Sequence, residues 1–514
     1  MAELDLAEPL LLGWLSSVSL DAHYVRASGD YLYRLDDNGD EVPVVDFAGG
    51  YGSLLLGHNH PELVACAQRM LAEGTPIHAQ FSRHPYASEL AARLDAIVRR
   101  ETGTETPYSA IFANSGAEAV EAAVKHAEFD RVARCAALLG EVAERVAAVD
   151  AAAVTVPAEV ARAVGAEGAD TESVLAALSR RNAEVAATPP LLLALEGGFH
   201  GKLLGSVQLT HNPAYRTPFT ALGGPVRFVA AADLAALPKV FEEERVHLLD
   251  VEVVDGVLRL APLPLPVFTA FLVEPVQGEG GIRVLDRAAA ERLRTACAAA
   301  GCPVVVDEVQ SGMGRTGTFL ASSAVGLRGD YYALAKSLGG GLAKAAVMLA
   351  SHEHYRPEFE LVHSSTFAKD AFSTTIALKV VELLEADGGA LVAKAAERGE
   401  HILAELRRVR EEFPDVVVDV RGRGLMLGLE FADQSTSDDA ELRAHAEGGT
   451  LGYALAGSLL SKHRVRTFPT ASAPNTLRFE PSVHIGDAEV RMLVDGLRAV
   501  CAALRAQDYG ALLG

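Results

Sequence analysis

The chain has 514 residues, 49% of them apolar and 22% charged, enough to bury a large core and to form two or more domains. Its formal net charge of -22 argues for a soluble, self-repelling surface and against a nucleic-acid partner, and no run of about 18 apolar residues offers a membrane span. The start, Met1-Ala2-Glu3-Leu4-Asp5, lacks the basic stretch of a signal peptide, and five scattered cysteines (Cys66, Cys135, Cys297, Cys302, Cys501) show no C-x-x-C spacing, so reduced thiols and a cytoplasmic location are expected.

Residues 1–45 open with a short apolar, helix-like run. Asn38-Gly39 then lies between alternating apolar residues, a hairpin signal. Residues 61–100 read as helices, with Pro61 suited to a first helical turn. From residue 107 short apolar strands alternate with amphipathic helices. Residues 110–112, 191–195, 268–273, 304–306 and 346–349 read as strands, with helices over 116–127 and 288–300 between them. This alternation predicts an α/β domain with a mostly parallel sheet, whose ligands sit beyond the C-terminal strand ends.

Two stretches interrupt the pattern. Residues 127–187 are rich in Ala, Val and Glu at helical spacing and are expected either as a surface helical pair or as a cover over the site entrance. Residues 246–266 carry Asp255-Gly256 between β-type runs, which predicts an added hairpin. A long helix from Ser373 to Glu385 opens an α+β C-terminal part. The expected organisation is an N-terminal segment over 1–75 that joins the small domain, a large domain over 76–372 and a small domain over 373–514.

Several motifs carry chemistry-bearing side chains. Asn114-Ser115-Gly116-Ala117-Glu118 follows a strand and opens a helix, leaving backbone N–H groups to hold an anion. Alone, Ser115 reads as an N-cap. Glu196-Gly197-Gly198-Phe199-His200-Gly201 follows a second strand, where an aromatic ring can stack on a planar ligand. Alone, Phe199 reads as core and His200 as a loop histidine. Glu274-Pro275-Val276-Gln277-Gly278-Glu279-Gly280-Gly281 sets two carboxylates five residues apart. They could serve as a glycosidase pair, although nothing else points to sugar chemistry. Asp307 ends the strand at 304–306, and Lys336 sits in the Gly-rich turn Ala335-Lys336-Ser337-Leu338-Gly339-Gly340-Gly341. That lysine can hold an aldehyde as a Schiff base, and that aspartate can keep a pyridine nitrogen protonated. Lys344 and Lys369 are rival lysines.

Taken together, these motifs resemble the class III aminotransferases of PLP fold type I, the group of ornithine and omega-amino-acid aminotransferases. The resemblance runs from about Tyr31 to Val500, outside the two interruptions. It is carried also by Leu56-Gly57-His58-Asn59-His60-Pro61, by the turn from Asp307 to Gly317 and by His363-Ser364-Ser365-Thr366-Phe367. It implies a large domain with a mostly parallel sheet, a smaller α+β domain and pyridoxal 5′-phosphate, with pyridoxamine phosphate as its intermediate form.

For matching positions the resemblance implies roles. Lys336 is the Schiff-base lysine and proton carrier, which makes Lys344 a decoy. Asp307 pairs with the ring nitrogen, Gln310 contacts the phenolic oxygen, Phe199 stacks on the ring with His200 beside it, and Glu274 lies near the ring. Ser115, Gly116 and Ala117 hold the phosphate, completed by Thr366 from the other subunit of a homodimer. Arg478 grips a substrate carboxylate, and Glu279 neutralises it when that carboxylate is missing. Tyr51 faces the substrate, with Phe81 nearby. The stretch Phe367-Ala368-Lys369-Asp370-Ala371-Phe372 and the turn Gly341-Leu342-Ala343-Lys344 depart from the family pattern, which puts the substrate mouth in doubt. The expected reaction is ping-pong transfer from a donor such as glutamate to an aldehyde or ketone, in secondary metabolism such as antibiotic biosynthesis. The alternatives are an aminomutase, a decarboxylating transaminase, or a non-catalytic scaffold of the same fold.

Overall fold

A computed structural model describes residues 7–36, 38–79 and 81–513. Seven strands form the central sheet, numbered here in chain order: β1 (Tyr108–Ala113), β2 (Leu191–Leu195), β3 (Val226–Val229), β4 (Phe268–Val273), β5 (Val304–Asp307), β6 (Tyr331–Leu334) and β7 (Ala346–Ser351). Their spatial order is β1-β7-β6-β5-β4-β2-β3, and β7 alone runs against its neighbours. Strands β4 to β7 are buried at every position, as expected of a sheet covered on both faces. The α/β class with a mostly parallel sheet is therefore observed. Two strands escape the sequence pattern. In β6, Tyr331-Tyr332-Ala333-Leu334 shows no alternation because both faces are covered, and β3 has only four residues.

Helix α1 (Gly116–Ala147) runs on for 32 residues, twenty beyond the expected stop at Ala127. No proline interrupts it, and alanine dominates its length. Its first half lays Ala119, Val120, Ala122, Ala123 and Ala127 on the sheet, with Ala270, Tyr331 and Met348 opposite. These small side chains let the helix lie close to the strands. The second half projects away and carries the first interruption, with helix α2 (Thr171–Ala186) returning from it.

The second interruption is a hairpin of two eight-residue strands, His247–Val254 and Val257–Pro264, in full antiparallel register. Its turn residues Asp255 and Gly256 have φ of 51° and 75°, the left-handed pair of a two-residue hairpin loop. The two interruptions form one body. Val160, Ala161, Val174, Leu175 and Leu178 from the helical part bury against Val251 and Leu258 of the hairpin. Asn182 clamps the join, donating to Leu249 O at 2.7 Å and accepting from Leu249 N at 2.9 Å. Arg145 adds an ion pair to Asp250 at 2.8 Å.

Two further sheets flank the large one. Tyr24–Ser28, Tyr31–Leu35 and Glu41–Asp46 pair in sequence, and Glu41–Asp46 continues in parallel with Val465–Arg466. The N-terminal strands thus join the C-terminal part. Val417–Arg423, Met426–Phe431, Ala473–Phe479 and Phe468–Thr470 make a four-stranded antiparallel sheet. All five cysteines are buried and free, and no helix among the described residues is long and apolar enough to cross a membrane.

Candidate active site

Parallel register brings the C-terminal ends of five strands to one edge. Val273 pairs with Val306, Asp307 pairs with Ala333, and Leu195 lies one residue beyond the pairing of Ala194 with Leu272. The next residues off those ends are Ser115 after β1, Phe199 and His200 after β2, Glu274 after β4, and Lys336 after β6, with Asp307 closing β5. Sheet geometry alone therefore gathers them.

Asp307 is 5% exposed. Its Oδ1 accepts Val309 N at 3.0 Å, and its Oδ2 lies 2.8 Å from His200 Nδ1. Burial works to depress the His200 imidazole, yet the bond to Asp307 outweighs it and raises the group above its ordinary value. His200 Nε2, also buried, has no protein partner. Glu274 accepts Phe199 N at 2.8 Å and Gly278 N at 3.1 Å. Burial, aided by the charge of Asp307, pushes its carboxyl up to about 7.

Lys336 is only partly buried, whereas Lys344 and Lys369 are exposed. Burial of the rest pulls the Lys336 ammonium below its ordinary value, against the opposing charges of Glu480 and Glu279. Its φ is 46°, a left-handed conformation that a lysine adopts only where its surroundings impose it. Tyr51 at 56° and Met313 at 57° share that region, so several turns at the pocket hold unfavoured backbone.

Arg478 and Glu279 form a closed, bidentate pair with Nη1–Oε1 at 2.6 Å and Nη2–Oε2 at 2.7 Å. Burial opposes both charges, but the pair holds Glu279 below the usual carboxylate range and raises Arg478. Arg478 Nε is buried without a partner. The guanidinium carbon sits 4.9 Å from the centre of the Tyr51 ring, which stacks on Phe468 at 5.7 Å.

Ser115 caps α1, accepting from Glu118 N at 3.3 Å, while the Glu118 carboxylate takes Asn114 N and Ser115 N. The N-cap role is real. The amides of Gly116 and Ala117, in the first turn, have no intrahelical acceptor and remain for an anion. Gly116 faces Val309, since a Cβ there would lie 2.5 Å from Val309 Cγ1, and Ala117 packs on Gly201. Thr366 is exposed, in a loop whose Ser365 hydroxyl accepts Asn114 Nδ2 at 2.8 Å. Phe81 is the one site candidate the chain holds wholly in solvent.

Sequence reasoning missed three residues that lie beside these groups. Tyr215 meets Phe199 edge-on at 6.3 Å, and burial with the charge of Glu279 raises its phenol. Tyr453, packed on Trp14 at 4.7 Å, is pushed up to about 12 by burial and by Tyr215 and Tyr51. Neither lies in a chemistry-bearing motif. Glu480, fully buried, binds Gln310. Its signal was available, because Arg478 and Glu480 are two apart and share one face of an extended chain.

The residues fit a planar, aldehyde-bearing pyridine with a phosphate arm. Lysine, carboxylate, ring face and free helix amides lie around one edge, and an unpartnered imidazole nitrogen backs the carboxylate.

The sequence model described as Aminotransferase class-III matches residues 16–500. Solved structures share the fold. An ornithine aminotransferase from Toxoplasma gondii aligns at TM-score 0.67 and 20% identity, over 95% of this chain and 91% of its own. A PLP-bound amine transaminase from an uncultivated Pseudomonas species aligns at 0.67 and 22%, over 98% of both chains. A thermostable omega transaminase engineered for synthesis of bulky amines aligns at 0.70 and 21%, over 99% and 98%.

Proposed function

Because the chain belongs to the class III aminotransferases, of PLP fold type I, we propose that it moves an amino group from an amino-acid donor such as glutamate to an aldehyde or ketone in a ping-pong cycle. It is an enzyme that transfers nitrogenous groups, and its cofactor is pyridoxal phosphate. The observation that carries the proposal is the left-handed, half-buried Lys336 at the strand edge that also holds the buried Asp307–His200 pair.

When bound, pyridoxal phosphate supplies an aldehyde carbon for the amine and a ring that takes up the electron pair released at the donor carbon. The chain does the rest. Lys336 would hold the cofactor until the donor's amine displaces it, and the freed lysine amine would then take the proton from the donor's α-carbon and return it to the carbon that had been the cofactor's aldehyde. Its lowered ammonium suits it to that exchange. Asp307, oriented by His200, faces the ring nitrogen and holds its proton. Phe199 covers one ring face, Gln310 lies toward the phenolic oxygen, and Glu274 braces the Phe199 backbone. Ser115, Gly116 and Ala117 receive the phosphate at the positive end of α1.

Arg478 grips the donor's carboxylate, and Glu279 takes the guanidinium back when the second substrate lacks one. The bidentate resting pair supports this exchange. Tyr51, Tyr215, Tyr453 and Phe468 give the mouth an aromatic lining suited to a neutral aromatic or alkyl aldehyde. A homodimer would bring Thr366 to the other copy's phosphate and Phe81 to its mouth. Exposed Phe81, Leu361, Val362 and Phe367 support such an interface. Free cysteines support a cytoplasmic setting, and the two-part insertion supports a role in secondary metabolism such as antibiotic biosynthesis.

The test is optical. Cofactor-loaded protein should be yellow and bleach on glutamate, with release of one keto acid per site. A protein that stays yellow with every amino acid in a donor panel would remove the proposal.

A further inference from the structure

Gly49, Gly50, Tyr51 and Gly52 follow one another in left-handed backbone, with φ of 52°, 58°, 56° and 87°. Glycine adopts that conformation freely, and Tyr51 is the one residue of the turn with a side chain. A Cβ on Gly49 would lie 1.9 Å from Glu480 O, so the bare backbone packs directly on the chain just past Arg478.

The Tyr51 ring stacks on Phe468 with 5.7 Å between centres and 19° between planes, and the Arg478 guanidinium carbon lies 4.9 Å from the Tyr51 centre. Phe468 stands opposite Arg478 in the antiparallel pairing of Phe468–Thr470 with Ala473–Phe479. Arg466, two residues earlier, sets its guanidinium carbon 4.8 Å from the centre of the Phe468 ring. Contacts thus run from Arg466 through two aromatic rings to Arg478, with a cation at each end.

One buried carboxylate anchors this assembly. Asp46 is 2% exposed and closes the strand Glu41–Asp46. Its Oδ1 accepts Ala48 N at 3.0 Å and Gly49 N at 3.2 Å, the amides that lead into the Tyr51 turn. The same oxygen accepts Arg466 Nη1 at 3.0 Å, and Oδ2 lies 2.8 Å from His58 Nε2. Asp46 and Arg466 are also opposite each other in the parallel pairing with Val465–Arg466. Asp46 therefore holds the Tyr51 turn by two hydrogen bonds, and by an ion pair it holds the cation that sits against Phe468.

Arg478 has to exchange Glu279 for the donor's carboxylate. Its contact with the neutral Tyr51 ring need not change in that exchange, so whatever fixes the ring fixes the guanidinium in both states. We propose that Asp46 and Arg466 are positioning residues of the donor-carboxylate site: their ion pair fixes the Tyr51 turn and the Phe468 ring together, and Tyr51 stays packed on Arg478 while the guanidinium passes from Glu279 to the donor. The inference rests on Arg478 gripping the donor's carboxylate, as proposed above.

The experiment is the glutamate half-reaction of the cofactor-loaded enzyme, followed as bleaching over a range of glutamate concentrations in wild type, D46N and R466M. D46N keeps an oxygen for the two amides and loses the charge opposite Arg466. Looser packing of Tyr51 on Arg478 should raise the half-saturating glutamate concentration by about tenfold and hold the limiting bleaching rate within about twofold, because the groups that move the proton lie elsewhere. R466M covers the case in which D46N does not fold. It leaves Asp46 on its two amides and His58, and should raise the half-saturating concentration by about threefold. A merely structural ion pair would lower the unfolding midpoint and the bleaching amplitude and leave the half-saturating concentration of the folded variants in place. That result overturns the inference, as does a fall in limiting rate larger than the rise in half-saturating concentration. Failure of the underlying reading looks different, since R478A would then bleach with glutamate as wild type does, or wild type would not bleach at all.

Discussion

The catalytic site and the helix-and-hairpin body built from the two interruptions differ in how many buried polar groups they leave unmet and in how much unfavoured backbone they hold. In the pocket, His200 Nε2, Arg315 Nε and Arg478 Nε are buried without protein partners, and Tyr51, Met313 and Lys336 hold left-handed backbone. In the inserted body, Asn182 bonds both the N–H and the C=O of Leu249, one buried nitrogen, Arg134 Nη2, lacks a partner, and the one left-handed non-glycine, Asp255, sits in a turn that requires it. Unmet partners and imposed backbone mark the region where a ligand completes the structure.

The largest effect expected from this contrast is at Lys336. K336A should abolish the yellow form and slow turnover by at least about 10⁴-fold, with little change in the apoprotein's unfolding midpoint. A variant that stays yellow, or that unfolds readily, would make Lys336 a structural residue like those of the inserted body. R478A comes next. It strips Glu279 of its partner, so it should destabilise the fold by about 3–5 kcal/mol and slow the glutamate half-reaction by about 100-fold. The half-reaction with an aldehyde should lose only a few-fold. Equal losses in stopped-flow traces of the two halves would show that the pair is structural, not a switch.

N182A probes the other region. Removing its amide leaves Leu249 N–H and C=O unpaired between helix and hairpin, at a cost of about 2–4 kcal/mol. The loss should appear as faster hydrogen exchange over 171–186 and 247–264, with kcat unchanged. A fall in kcat would mean that the inserted body reaches the pocket.

The sequence exposed these regions unequally. Asp307 and Lys336 were legible because each chemistry needs one residue type at a strand end, and parallel register then brings the ends together. The hairpin was legible from Asp255-Gly256, whose dihedrals no other reading explains. Its partner was not. Apolar periodicity in 127–187 says that a face is buried and is silent on what buries it, so a surface pair, the favoured reading, and a cover over the entrance both stayed open. The stop at Ala127 was misplaced for a similar reason, since alanine carries a helix past the edge of the sheet as readily as across it. Tyr453 was invisible because a tyrosine in an apolar helix looks like core until the fold shows what lies in front of it, and Tyr215, in the short helix Pro213–Arg216, stands in no motif at all.

The smallest effect is the one that separates the two regions by pH. Glu274 is buried beside Asp307, and its folded value of about 7 lies above the roughly 4.3 of an unfolded glutamate. Between those values the folded apoprotein binds more protons than the unfolded chain. Its stability contribution is therefore fully present below pH 4.3 and is lost as pH rises through 7. E274Q cannot ionise, so relative to wild type it should gain on the order of 1–3 kcal/mol between pH 5 and pH 8, read from denaturant midpoints of the apoproteins. Lowered groups such as Asp46 and Glu279 titrate alike in both proteins and cancel in the difference. The N182A penalty, in contrast, comes from the Leu249 peptide groups, which do not titrate, and should be flat across the same window. If the Glu274 difference is also flat, the Glu274 carboxyl is ionised in the folded protein, and its surroundings compensate the buried charge.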